Sequence, residues 1–212
     1  MLAKKILFLL IKALVVWILI LLLWWVKVSS VYQGLIAFTS AKLLPIILVD
    51  DYRVQSYEIT GRGENDSSKR NLLRFYIQVS PKVRNWIEFG TNDLTYPIVT
   101  FFTLVLVTPK ISWKKRLKIA GIGFLVLWLF YSVLALFFFR IIGYQDGREL
   151  AHLGLIEDLF GIKRLAAWKQ SGGITILSGQ IAPVAIWFVS VFGQLFKRSK
   201  PEKMVKQKRQ SL

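Results

Sequence analysis

Four apolar blocks, residues 6–26, 94–107, 119–142 and 174–196, dominate this chain. A helix needs about 20 residues to cross about 30 Å of hydrocarbon, and three of the blocks have that length. Apolar residues make up 54% of the 212 residues and charged ones only 19%, too little polar surface to bring such blocks into water. The sequence predicts an α-helical integral membrane protein with four transmembrane helices, a small extracytoplasmic β-hairpin and interfacial amphipathic helices. The block 94–107 is short, so it must either take in 86–90 or be shielded by neighbouring helices.

The formal net charge is +17, from 29 Lys and Arg against 12 Asp and Glu. Such a balance often marks nucleic-acid binding, but the placement of the charge argues otherwise. Three segments, the N-terminus through Lys12, residues 110–118 and the tail from Lys197, hold 15 of the basic residues against one acid, Glu202. The regions 27–93 and 140–173 hold 14 against 11, so positive charge alternates with the spans. That is the positive-inside pattern, with both termini cytoplasmic and the basic segments touching anionic lipid rather than nucleic acid.

The expected layout follows. Residues 1–27 form an uncleaved first transmembrane helix, anchored by Trp24, Trp25 and Lys27. The extracytoplasmic region 28–90 carries an interfacial helix or re-entrant segment over 31–49 and a hairpin over 52–80. In that hairpin Leu73, Phe75, Ile77 and Val79 alternate onto one face. The second span covers 91–109, opened by Asn92-Asp93 with Pro97 in its first turn, and leads into the basic cytoplasmic loop 110–118. The third span is 119–142. An extracytoplasmic amphipathic helix within 143–173 has its stripe on Leu150, Leu153, Ile156, Leu159, Phe160 and Leu165. The fourth span is 174–196, and 197–212 is a basic cytoplasmic tail.

Chemistry-bearing sets are scarce. There is no cysteine, so no thiolate nucleophile, disulfide or thiolate zinc site can form. One histidine, His152, cannot build a multi-histidine metal centre and reads as an interfacial polar residue. Glu157 and Asp158 lie beside Lys163 and Arg164, where helix-surface ion pairing is the ordinary expectation. No span carries a charge at its centre, and Gln180 with Pro183 makes the fourth span polar and bent. The candidate contact residues for a partner or substrate are Asn92, Asp93, Arg140, Arg148 and Gln180. No catalytic residue, cofactor or metal is expected.

The strings Thr91-Asn92-Asp93-Leu94-Thr95-Tyr96-Pro97, Val107-Thr108-Pro109-Lys110 and Gln180-Ile181-Ala182-Pro183, with this order of spans, resemble the small membrane proteins associated with exosortase H in bacterial protein sorting. The basic tail and the polar loop 61–70 have no counterpart in that pattern. Exosortases use a cysteine, so the resemblance implies an accessory partner of such an enzyme and carries over no catalytic residue.

The expectation is therefore a non-catalytic accessory or scaffold subunit of a bacterial inner-membrane complex, packed against a larger polytopic, sortase-like protein. Two other readings stay open. One is an orphan subunit of a photosynthetic or respiratory assembly. The other is a membrane enzyme acting on lipid-linked substrates through Asp93 with Arg140 or Arg148.

Overall fold

The computed structural model describes residues 2–24, 28–49, 52–60, 72–80, 83–90, 94, 96–109 and 111–195. Helix α1 (Leu2–Leu23) and helix α2 (Ser29–Leu43) precede a three-stranded sheet, β1 (Arg53–Thr60), β2 (Leu72–Ser80) and β3 (Val83–Gly90). Then come α3 (Pro97–Val107), the long α4 (Trp113–Gln145), the short α5 (Leu155–Phe160) and α6 (Ile162–Gln170). The last helix runs from α7 (Gly173–Ile176) through a π turn (Leu177–Ile181) into α8 (Ala182–Leu195).

Among the described residues three helices are long and apolar enough to cross a membrane: α1, α4 and the one running from Gly173 to Phe192. Helix α3 has 11 residues, about 16 Å of rise, and cannot cross 30 Å alone. Residues 86–90 do not lengthen it, because they belong to β3. Instead α3 packs against α1, α4 and α8, burying Ile98, Val99, Phe101 and Val105. The contact with α4 is close: a side chain at Gly123 would run into the Phe101 ring, so glycine is what lets the two helices meet. Helix α1 offers little more than a stripe of half-buried Ala13, Val16, Ile20 and Leu21, and its other apolar side chains from Ile6 to Leu23 are exposed.

The turn between α3 and α4 is held by side chains. Arg116 donates from Nε to the Ile111 carbonyl (3.0 Å) and from its terminal nitrogens to the carbonyls of Leu106 and Thr108, the latter at 2.7 Å. A cation at the C-terminal end of α3 satisfies carbonyls that the helix leaves open and complements its dipole. Trp187 on α8 donates to Thr108 Oγ1 at 2.8 Å, tying the last helix to the same turn.

The sheet runs β1–β2–β3, antiparallel throughout. The expected hairpin is its first two strands, and the third is an addition: Leu73 faces Phe89 and Phe75 faces Ile87. Leu73, Phe75, Ile77, Ile87 and Phe89 form the buried face. It lies on the C-terminal part of α4, where Phe75 meets Phe139 (ring centroids 6.1 Å apart) and Phe89 meets Phe138 (5.7 Å). The Val79 side chain lies outside the described residues. On the opposite face Arg74 donates to Glu88 (2.6 Å) and Tyr76 to Glu58 (2.8 Å), a cross-strand polar ladder. Helix α2 packs along α4, with Ser40 Oγ 3.1 Å from the Ser132 carbonyl and Tyr32 against Phe124.

Between α4 and α6 the structure departs from the single amphipathic helix that the apolar spacing suggests. Residues 150–152 are extended: Val49 N–H donates to the Leu150 carbonyl (3.1 Å) and His152 N–H to the Ile47 carbonyl (2.7 Å). Gly154 (φ 56°) and Gly161 (φ 74°) then split the remainder into α5 and α6. Gly154 precedes α5 and Gly161 separates α5 from α6, and both hold a positive φ that other residues adopt only at a cost.

The π turn has a simple covalent cause. Ala182 N–H donates to the Leu177 carbonyl, five residues back. In that register the next donor, to the Ser178 carbonyl, is residue 183, which is proline and has no N–H. Tyr131 on α4 replaces it, its hydroxyl donating to the Ser178 carbonyl at 2.8 Å, with Tyr131 and Ser178 both fully buried. The extra residue shifts the inward-facing stripe from buried Ile174 and Ser178 to buried Pro183 and Val191, with half-buried Trp187 between them. Tyr131→Phe should therefore cost about 1–2 kcal/mol in detergent unfolding. The loss should shrink when Pro183→Ala returns a backbone N–H, and equal losses in both backgrounds would refute the coupling.

Candidate functional site

The charged groups with the least access to water lie where α4 ends and the chain doubles back. Arg140 is 6% exposed and Glu157 8%. The guanidinium engages both carboxylate oxygens, Nη2 to Oε1 at 2.5 Å and Nε to Oε2 at 3.0 Å, and Leu153 N–H donates to Oε2 at 3.0 Å. The Tyr144 ring lies 5.9 Å from the Arg140 guanidinium. Burial pushes the Glu157 carboxyl upward, but the hydrogen bonds from Arg140 and Leu153, with the charges of Arg140 and His152, outweigh it. The net effect holds the carboxyl below its ordinary value of 4.5.

The expected pairing of Glu157 with Lys163 and Arg164 is thus replaced. Gly161 redirects the chain before those residues, and Glu157 points inward to a partner 17 positions earlier. Its inward turn leaves α5 with its apolar side chains outward: Leu155 is 72% exposed, and Leu159 and Phe160 are exposed as well. Asp158 instead faces His152, with Oδ1 3.6 Å from Nε2, and His152 Nδ1 accepts from Gly154 N–H at 3.0 Å. Beside them an open groove of about 370 Å³ is lined by Ile46, Ile47, Leu48, Val49, His152, Leu153 and Gly154. Its walls combine apolar side chains with backbone polar groups and the His152 imidazole.

Of the five candidate contact residues, the three that are described, Arg140, Arg148 and Gln180, do not converge. Asn92 and Asp93 lie outside the described residues. Arg140 is committed to Glu157. Arg148 donates from Nη1 to the Trp86 carbonyl at 2.9 Å, fastening the end of α4 to β3. Gln180 is exposed on the π turn of the last helix, away from both arginines. Among the described residues no group of three or more His, Cys, Asp or Glu is placed to hold a metal ion. Sequence reasoning missed the roles of Glu157, Tyr131 and Arg116. Pro183 was the one visible signal, since a proline inside an apolar run leaves a carbonyl to be satisfied.

No family model matches the chain, and no curated protein or solved structure matches it either.

Removing one partner of a buried, hydrogen-bonded ion pair typically costs about 3–5 kcal/mol. Glu157→Gln should therefore lower the thermal midpoint of the purified protein clearly. The carboxyl's value is lower in the folded chain, so its stabilisation is complete above about pH 5 and is lost as pH falls through that lowered value. The gap between wild type and variant should be steady from about pH 8 to 5 and narrow as pH falls below the ordinary carboxyl value of 4.5. A gap that widens in acid would contradict the assignment.

Proposed function

We propose that this chain is a non-catalytic accessory subunit of a bacterial cytoplasmic-membrane complex, with both termini cytoplasmic and the sheet with α5 and α6 on the outer side. It would position or stabilise a larger polytopic partner, and an exosortase-type sorting enzyme is the partner its local strings suggest.

The observation that carries this reading is the contrast between engaged polar groups and unengaged apolar ones. Arg140, Glu157, Arg148, Arg116, Arg74 and Glu88 all bind other parts of the chain. Meanwhile α1 presents Leu7, Phe8, Leu10, Leu14, Leu19 and Leu22, and α5 presents Leu155 and Leu159. Lipid covers some of this surface, and a polytopic partner can use the rest, because apolar faces that meet no other helix suit packing in the membrane plane. The two-sided arrangement is supported by α4. Its N-terminal end carries Lys114, Lys115, Arg116 and Lys118, and the sheet sits against Phe138 and Phe139, about 30–36 Å further along the helix. That separation is enough to span the hydrocarbon thickness of about 30 Å.

The test is a native pull-down through a tag on the basic tail, in mild detergent, from cells expressing the chain at its natural level. A larger membrane protein co-eluting in fixed stoichiometry is expected. Elution of this chain by itself, as monomer or homo-oligomer, would overturn the accessory reading.

A further inference from the structure

Gln180 occupies an unusual place. Tyr131, which bonds the Ser178 carbonyl, lies at the midpoint of the apolar run 119–142. Gln180 is two residues further along the same π turn, so it sits near mid-depth of the helical bundle. Its side chain is exposed, and among the described residues nothing hydrogen-bonds its amide. The surrounding surface is apolar: Ile176, Ile181, Val184 and Phe188 are all exposed. At that depth a bilayer offers no donors or acceptors, and glutamine is too short to reach the headgroups about 15 Å away. The amide therefore calls for a polar partner on another helix.

We propose that this face of the last helix is a self-association surface, with Gln180 of one copy bonded to Gln180 of a second. A primary amide carries both donor and acceptor, so it is complementary to itself. A two-fold axis passing beside Gln180 brings two amides together with paired N–H···O=C bonds, and the same patch then meets itself. Room for close approach is already present. Gly179 has nothing within 4 Å of where a side chain would project, and Ala185 is small and exposed one turn on. Small residues beside an interhelical amide allow the backbone approach that membrane helix pairs use. This contact does not depend on the accessory role, because the α1 and α5 surfaces stay free.

The chain has no cysteine, so single cysteines report contacts in intact membranes without background. Val184→Cys places a thiol one turn from Gln180, and Leu125→Cys places one on the exposed surface of α4 as a control. Under mild oxidation V184C should give a disulfide-linked dimer and L125C should not. Adding Gln180→Leu should reduce the V184C dimer roughly threefold to tenfold, the effect of losing an interhelical hydrogen bond. Three results would each overturn the proposal: V184C crosslinking no more than L125C, a dimer indifferent to Q180L, or an adduct containing a different polypeptide. The comparison of V184C with L125C decides even if Q180L accumulates poorly.

Discussion

Arg140 keeps its charge at 6% exposure because Glu157 faces it with both oxygens, and Leu153 N–H adds a further bond to the carboxylate. Alone, either group would be expensive to bury; together they fix a large part of one end of the molecule. To reach Arg140, Glu157 must come from a chain that has left α4, turned at Gly147 and passed residues 150–152 along 47–49. The same reach turns the apolar side of α5 outward. Arg148, eight residues after Arg140, ties this end to β3 through Trp86. One ion pair thus couples the long helix, the returning loop and, indirectly, the sheet.

A second constraint acts deeper in the bundle. Where water is excluded, each backbone carbonyl needs a partner inside the protein, and the last helix breaks its own ladder at Pro183. The chain answers with a π turn and a tyrosine from α4. At the end of α3 the exposed carbonyls are met by Arg116, which therefore contributes structure as well as positive charge on its side of the bundle. Both devices place polar side chains against backbone, whereas Gln180, two residues beyond Ser178, is exposed on the surface of the last helix.

How much of this was legible depended on the distance over which the signal acts. The apolar runs marked α1, α4 and the last helix because hydrocarbon thickness sets a length that local composition reveals. Alternation in 73–79 marked a strand for the same local reason. The third strand carried the same period in Ile87 and Phe89, but the short block after it invited those residues into a helix. Glu157 was misassigned because its sequence neighbours Lys163 and Arg164 are plausible partners, while Arg140 becomes available only after Gly154 and Gly161 bend the chain. Tyr131 lies 47 residues from the carbonyl it serves, and nothing in its own surroundings distinguishes it from other aromatics in the run. Local period was readable, whereas pairings that arise from packing were not.

Both constraints place the sheet and the returning loop at one end of α4 and the basic turn at the other. Cysteine labelling in sealed, right-side-out membranes tests that separation directly, using Tyr57→Cys in β1 and Ser112→Cys at the start of α4, both exposed positions in a cysteine-free chain. An impermeant maleimide should label position 57 from outside and position 112 only after the membrane is opened. Labelling of both from the same side would contradict the two-sided arrangement.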